Sequence, residues 1–151
     1  MTSKGFTLIE TILYIALLSL ITSGALLATY QLLEGNQKNL IELTIQSEAD
    51  FLLRKIEWIL SGSQSVVLPR EGESGPELVV RGEAGPVSFT LSGADLVMSR
   101  DGGQAVPLNS QNVSVTDLVF EHLEASDGKP AGIRTVFKVG GRVFETLKYL
   151  R

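Results

Sequence analysis

The stretch KGFTLIE, at residues 4–10, opens directly onto a long apolar run, and the two together decide how the rest of the chain is arranged. Residues 11–33 provide 23 consecutive positions without Asp, Glu, Lys or Arg. At the helical rise of about 1.5 Å per residue such a run measures about 35 Å, which is enough to cross the hydrocarbon core of a bilayer. The sequence therefore predicts a membrane-spanning helix close to the N-terminus.

Glu10 is an acidic residue at the edge of this apolar run. Leu8 and Ile9 precede it, and Ile12 and Leu13 follow it closely. A carboxylate at membrane depth costs about 2.5–3.5 kcal/mol unless it finds a partner or reaches the interface. We therefore treat Glu10 as a candidate functional residue, whereas in a plain signal-anchor helix it would lie among the lipid headgroups without a role.

Composition excludes several classes of function. The 151 residues carry 13 basic and 17 acidic side chains, for a net charge of −4, and no basic stripe of the kind that binds nucleic acid. The chain has no cysteine and one histidine, which excludes disulfides and cysteine-based zinc sites. With no phosphate-binding glycine loop ahead of a helix either, the sequence predicts no nucleic-acid partner and no cofactor.

Residues 1–5 form a short polar leader with one basic side chain, Lys4. An ordinary secretory signal has an apolar region of about 7–15 residues followed by a small-residue cleavage site. Here the apolar run is longer, and its end, YQLLE at residues 30–34, offers no such site. We therefore expect the run to stay on the protein, and the positive-inside tendency places the N-terminus in the cytoplasm and the rest of the chain outside.

Residues 4–10 resemble the processing motif of type IV pilin-like proteins, the class of pilins, minor pilins and type II secretion pseudopilins. That motif combines a basic residue, a glycine, a phenylalanine, a glutamate five residues into the mature chain and a long apolar run. The resemblance implies that a prepilin peptidase cuts between Gly5 and Phe6, that the new Phe6 amine is N-methylated, and that Glu10 serves filament assembly.

The implied assembly has a physical rationale. Glu10 of one subunit would pair with the Phe6 amine of a neighbour, so that two charges costly alone in lipid become tolerable together and fix the axial offset between subunits. The implied partners are other pilin or pseudopilin subunits, the peptidase, an inner-membrane assembly platform and lipid. The implied location is the bacterial inner membrane and then a pilus or pseudopilus. Small residues that would let such helices approach closely are Ala16, Ser19, Ser23, Gly24, Ala25 and Ala28.

Four segments are predicted along the chain: a leader at 1–5, a transmembrane and filament-core helix at 6–33, an amphipathic half of the same helix at 34–62, and a β-rich globular domain at 63–151. Apolar residues recur every three or four positions between 41 and 59, which indicates one buried helix face. We expect Trp58 to fill the core or an interface. We expect the helix to end at residues 61–63, where Gly62 is free to adopt a left-handed backbone.

In the remaining sequence, short stretches of alternating apolar and polar residues are separated by turn-forming residues, a pattern typical of antiparallel strands. Strands are predicted at 77–81, 86–91, 94–100 and 105–108, with 65–69 as a strand or an extended loop, and with turns at 72–76 and 82–86. Residues 112–124 alternate in two phases, which suggests a bulge. Residues 133–139 and 142–150 are predicted to form a hairpin on Gly140 and Gly141. The fold class is thus α+β, a long helix packed on an antiparallel β-sheet, as in the pilin-like family.

Catalytic chemistry is not expected. His122 is the only histidine of the chain and is predicted to lie on a strand surface between Glu121 and Leu123. A Ser-His-Asp triad would have to be built around this one residue, so we do not expect one. A calcium site at Asp101 or Asp127 lacks the spacing of a calcium loop. We therefore predict that the protein is not an enzyme and holds no metal.

The expected function is that of a structural minor subunit of a type IV pilus or type II secretion pseudopilus. Major pilins usually carry a proline inside the first helix, and this chain has none before Pro69, while its layout is similar to that of J-type minor pseudopilins. One alternative is a single-span, membrane-anchored exported binding module that forms no filament. Another is a tethered exported enzyme, which would need clustered polar residues in a pocket.

Overall fold

The computed structural model describes residues 7–126 and 128–150, and it shows one long helix and nine strands within them. Contacts divide the chain into two compact units, residues 1–43 and residues 44–151. The helix is α1 (Leu8–Ser61). The strands are β1 (Ser63–Leu68), β2 (Ser74–Gly75), β3 (Leu78–Gly82), β4 (Gly85–Ser92), β5 (Asp95–Arg100), β6 (Val106–Pro107), β7 (Val115–Leu123), β8 (Gly132–Val139) and β9 (Arg142–Tyr149).

The first unit consists, in its described part, of the helical residues up to 43. In the described residues the helix begins at Leu8, and the backbone amides of Glu10 and Thr11 both donate to the Thr7 carbonyl at 3.1 and 3.2 Å. It stays helical through Gly24 and Gly35, although each glycine costs about 1 kcal/mol relative to alanine in a helix. The predicted long N-terminal helix is therefore present.

In the second unit, the last turns of α1 bury one face. Ala49, Leu52, Ile56 and Leu60 are buried, which agrees with the later part of the stripe predicted for residues 41–59, whereas Ile41 at its start is 62 % exposed. Of the two roles predicted for Trp58, the core is wrong, because its side chain is 62 % exposed, and the interface stays a prediction. The physical reason is its position two residues after Ile56, about 200° around the helix from it.

The helix ends where the sequence predicted, but the backbone conformation at its C-terminus differs from the predicted one. α1 stops at Ser61, and the Gly62 amide donates to the carbonyls of Trp58 at 3.3 Å and Ile59 at 3.2 Å. Gly62 is not among the glycines with a positive φ, so the left-handed cap predicted for it was wrong. The two shared hydrogen bonds close the last turn without a reversal of the backbone.

The strands form two antiparallel sheets rather than the single sheet that was predicted. Sheet A has the order β1-β3-β4-β5-β6, and sheet B has the order β2-β7-β8-β9. Ser74 and Gly75 were expected in a turn but form β2, opposite Glu121 and Phe120 of β7. The general class, α+β with a long N-terminal helix and antiparallel sheets, is confirmed.

Two local predictions in sheet B are confirmed. Strands β8 and β9 pair without interruption and are joined by Gly140 and Gly141, whose φ angles of 56° and 81° suit a two-residue hairpin turn. In β7 the register shifts between Thr116 and Val119, where Asp117 takes a φ of 52°. This bulge explains why the apolar residues of the strand change phase.

One apolar core joins both sheets to residues 44–61 of α1. Its largest fully buried side chains are Phe89 in sheet A and Phe120 and Phe137 in sheet B. Burying each such side chain stabilises the fold by about 1.5–3 kcal/mol. The other buried members include Leu78, Val80, Leu96, Val113, Val115, Leu118, Ile133 and Val139.

Asn109 is a buried polar residue that ties β5 to the loop before β7. Its Oδ1 accepts from the Leu96 amide at 2.8 Å, and its Nδ2 donates to Asp95 Oδ1 at 2.9 Å and to the Val113 carbonyl at 2.7 Å. Removing it would leave buried backbone groups without partners.

We expect Asn109→Ala to lower the free energy of unfolding by about 2–3 kcal/mol, because a buried unsatisfied group costs about 1–3 kcal/mol. Urea unfolding of the full chain in detergent micelles, followed by circular dichroism, measures the change. Asn112→Ala is the matched control, since Asn112 is exposed and should change the value by less than about 0.5 kcal/mol. Equal effects of the two substitutions would contradict the structural role of Asn109.

Candidate assembly site on the N-terminal helix

Glu10 lies in the first turn of α1, where a negative charge interacts favourably with the helix dipole. Its side chain is half-buried, and its nearest polar contact is with the Tyr14 hydroxyl, which donates to Oε1 at a long 3.5 Å. Within residues 7–126 and 128–150, the Glu10 carboxylate forms no salt bridge.

The helix around Glu10 exposes apolar side chains on every side. Leu8 is 83 % exposed, Ile9 76 % and Leu20 74 %. An 18-residue window of the helix has a mean hydropathy of 2.1, and none of that window is buried, so by length and composition α1 is a candidate membrane span. A surface this apolar requires lipid or other apolar helices around it.

The serine and threonine hydroxyls within the run donate hydrogen bonds to backbone carbonyls of the same helix. Ser19 donates to the Ile15 carbonyl at 2.7 Å, Ser23 to the Ser19 carbonyl at 2.6 Å and Thr22 to the Leu18 carbonyl at 2.8 Å. Thr29 bonds in the same way to the carbonyl of Ala25 at 2.9 Å. Such bonds to the preceding turn let these hydroxyls enter an apolar medium without an unpaired donor.

Other residues of the predicted site are distributed as follows. Gly5 and Phe6, the predicted cleavage and methylation positions, lie outside the described residues. Charge returns beyond the apolar run at Glu34 and Lys38, whose side chains pair at 3.0 Å while 70 % and 75 % exposed. An exposed pair of this kind contributes at most about 1 kcal/mol, so it marks the end of the apolar segment rather than a binding site.

His122 is not on the surface, which corrects the sequence-based expectation. It is buried, and its Nδ1 lies 3.0 Å from the Pro69 carbonyl. The His122 backbone also exchanges hydrogen bonds with Gly72 at 2.8 Å and Glu73 at 2.9 Å. His122 thus links the loop before β2 to strand β7 through hydrogen bonds of its backbone and its ring. The role that the structure shows for the ring is structural.

Metal-binding groups are not assembled in the described part of the chain. No cluster of three or more His, Asp or Glu side chains capable of holding an ion occurs there. Asp101 lies in the turn after β5, with its amide donating to the Pro86 carbonyl at 2.7 Å. Asp127, the other residue considered for calcium, is outside the described residues.

A groove in the second unit was missed by sequence reasoning. It lies between the end of α1 and the β3–β4 hairpin, with Trp58, Val80, Val87 and Arg100 among its lining residues. The segments that line this groove are far apart in sequence, so no local sequence pattern predicts the groove. One sequence feature could have indicated it: Trp58 is a large apolar residue that does not lie on the buried face of the helix.

Comparisons of the chain with protein-family models, with curated proteins and with solved structures find no match. Function is therefore inferred from the chain's own residues.

Proposed function

We propose that this protein is a structural minor subunit of a helical filament of the type IV pilin-like class, either a pilus or a type II secretion pseudopilus. The observation that carries the proposal is Glu10, a carboxylate without a salt bridge in the described chain, in the first turn of a helix that has an unburied, strongly apolar 18-residue window. The KGFTLIE motif supports the same conclusion, because its basic residue, glycine, phenylalanine and glutamate, followed by a long apolar run, resemble the processing site of that class.

Before assembly, the helix sits in the bacterial inner membrane with residues 1–5 on the cytoplasmic side. Prepilin peptidase cuts after Gly5, and the Phe6 amine is methylated. Cleavage removes Lys4 and creates a cation four residues before Glu10 in the sequence.

During assembly, Glu10 pairs with the Phe6 amine of a neighbouring subunit. The helices leave lipid and pack on each other, guided by the inner-membrane assembly platform. Packing between the exposed apolar surfaces of the helices stabilises the filament. The ion pair fixes one axial offset between neighbouring subunits, whereas apolar packing alone would allow many.

The competing function is a single-span anchored binding module that forms no filament. The groove beside Trp58 favours it, since a binding surface on the second unit is useful with or without a filament. The two functions differ at the N-terminus. The module keeps Met1 and tolerates loss of the Glu10 charge, whereas the filament subunit does neither.

We expect the mature protein to begin at Phe6 and to carry one added methyl group on its amine. The measurement is intact mass together with the N-terminal peptide, on protein purified from membranes of cells with an active prepilin peptidase. Protein from cells lacking the peptidase is the control and should retain residues 1–5. A chain that still begins at Met1 in the presence of the peptidase would overturn the filament proposal and leave the anchored module.

A further inference from the structure

Glu10 and Tyr14 lie one turn apart on the same side of α1. Four residues correspond to about 400° of helical rotation, so the two side chains leave the helix in directions only about 40° apart. The Tyr14 hydroxyl donates to Glu10 Oε1 at 3.5 Å, a long contact between residues of one helix. Side chains spaced in this way are neighbours on a helix surface and can stabilise each other.

The Glu10 side chain is set apart from the rest of the first unit by its burial. It is half-buried, whereas every other residue from 7 to 43 is exposed. The Cα–Cβ bonds of a helix tilt toward its N-terminus, so a long side chain such as that of Tyr14 reaches back over the preceding turn. The carboxylate is therefore partly shielded, with a hydroxyl donor beside it, on a helix that is otherwise open to its surroundings.

Tyr30 provides a comparison on the same helix. It too is four residues from a glutamate, but that glutamate, Glu34, follows it in sequence and pairs with Lys38 at 3.0 Å. Within the described part of the chain the Tyr30 hydroxyl forms no hydrogen bond. Since a helical tyrosine reaches toward the preceding turn, only the order Glu10 then Tyr14 brings a hydroxyl to a carboxylate.

The contact leaves part of the Glu10 carboxylate for another partner. An ionised carboxylate has two acceptor oxygens, and Tyr14 is placed at one of them, Oε1. A hydrogen bond to an ionised group is stronger than one between neutral groups, and it strengthens further where the dielectric constant is low. A neutral hydroxyl does not cancel the charge, so a cation is still favoured at the second oxygen.

We propose that Tyr14 is a positioning residue for Glu10. Its hydroxyl holds one carboxylate oxygen while the helix is in the membrane and so presents the other oxygen to the Phe6 amine of a neighbouring subunit. Holding the carboxylate in advance reduces the entropy lost when the ion pair forms. This inference rests on the proposed function, because the cation that Glu10 meets is supplied by filament assembly.

An interfacial anchor is the other role open to Tyr14. Tyrosines are enriched where a membrane-spanning helix crosses the interface, and Tyr14 and Tyr30 lie toward opposite ends of the apolar run. In that role the two tyrosines would be equivalent, and neither would depend on Glu10. The experiments below separate the two roles by that dependence.

Carbon-13 NMR of the full chain in lipid nanodiscs, with label at the ring carbon Cζ of tyrosine, tests the contact itself. The chain has three tyrosines, so three signals are expected, and each is assigned by its own Tyr→Phe variant. The Cζ signal responds to hydrogen bonding of the attached hydroxyl. We expect Glu10→Ala to shift the Tyr14 signal and to leave those of Tyr30 and Tyr149 in place. An unshifted Tyr14 signal would overturn the proposal whether or not the protein forms filaments.

Incorporation into sheared filaments tests the consequence of the contact. Tyr14→Phe keeps the ring and removes only the hydroxyl, and it should lower incorporation about three- to tenfold, the effect of losing one hydrogen bond, with membrane insertion unchanged. Tyr30→Phe is the matched control and should leave incorporation unchanged. In a Glu10→Ala background Tyr14→Phe should cause no further loss, because Tyr14 acts through Glu10.

The positioning role is overturned if Tyr14→Phe incorporates like the unaltered chain, if Tyr30→Phe lowers incorporation equally, or if Tyr14→Phe causes the same loss in the Glu10→Ala background. Each of these outcomes leaves the proposed function intact, because the unaltered chain still enters filaments. An unaltered chain that enters no filament is a different result. It would overturn the proposed function and, with it, the role of Tyr14.

Discussion

Replacing Glu10 by alanine is expected to leave the protein inserted in the membrane but to reduce its incorporation into filaments by at least about tenfold. An unpaired charge at membrane depth costs about 2.5–3.5 kcal/mol, and each 1.4 kcal/mol corresponds to about a factor of ten. In the proposed filament, Glu10→Ala would leave the Phe6 amine of the neighbouring subunit without its partner, so the assembled state would lose the pairing while the inserted state would not. Fractionation of sheared filaments and membranes, with quantitative immunoblotting, measures both quantities.

Two further variants isolate the charge. Glu10→Gln retains the size and hydrogen-bonding capacity of the side chain and should lose incorporation nearly as strongly as Glu10→Ala. Glu34→Ala removes another carboxylate of the same helix, one whose pair with Lys38 is exposed, and should leave incorporation unchanged. Normal incorporation of Glu10→Gln would show that the charge is not required and would refute the ion-pair account.

The long helix and most strands were accessible from sequence because their signals are local. The uncharged run of residues 11–33 predicts the apolar part of α1 directly, and the alternation of residues 133–139 predicts β8. The Gly140-Gly141 pair predicts the turn because both residues must take a positive φ, which side-chain-bearing residues rarely adopt.

The division into two sheets could not be predicted because it depends on pairing between distant segments. Ser74 and Gly75 have the composition of a turn, yet they pair with β7, where the His122 backbone holds the preceding loop in place. The burial of His122 has the same origin. Its surroundings are set by Pro69, a residue from the other end of the domain, rather than by its neighbours in sequence.

The two candidate sites differ in how far the sequence reveals them. Glu10 is conspicuous because a single acidic residue stands against a long apolar background. The groove between the end of α1 and the β3–β4 hairpin requires the fold, since Trp58 and Arg100 come to line one groove only through the packing of the end of α1 on sheet A. The sequence shows that Trp58 does not lie on the buried face of the helix. Only the structure shows which residues of the β3–β4 hairpin face it.

Phe137→Ala is expected to lower the free energy of unfolding of the second unit by about 3–5 kcal/mol, the usual cost of emptying a buried phenylalanine site. Phe137 is fully buried in β8, and its ring stacks with Phe144 of β9 at a centroid distance of 6.3 Å. Because domains of this size are stable by only about 5–15 kcal/mol, the variant would lose a large share of its stability. Urea unfolding of the full chain in detergent micelles, followed by circular dichroism, gives the difference.

Val143→Ala is the control in the same hairpin, because Val143 is 59 % exposed and its truncation should change stability by less than about 0.5 kcal/mol. Phe144→Ala should fall between the two, since Phe144 is only partly buried and contributes its stacking contact from the edge of sheet B. This order follows from burial alone, as all three positions share one hairpin and one backbone geometry. If Phe137→Ala cost no more than Val143→Ala, the inner face of sheet B would not be packed as the structure places it.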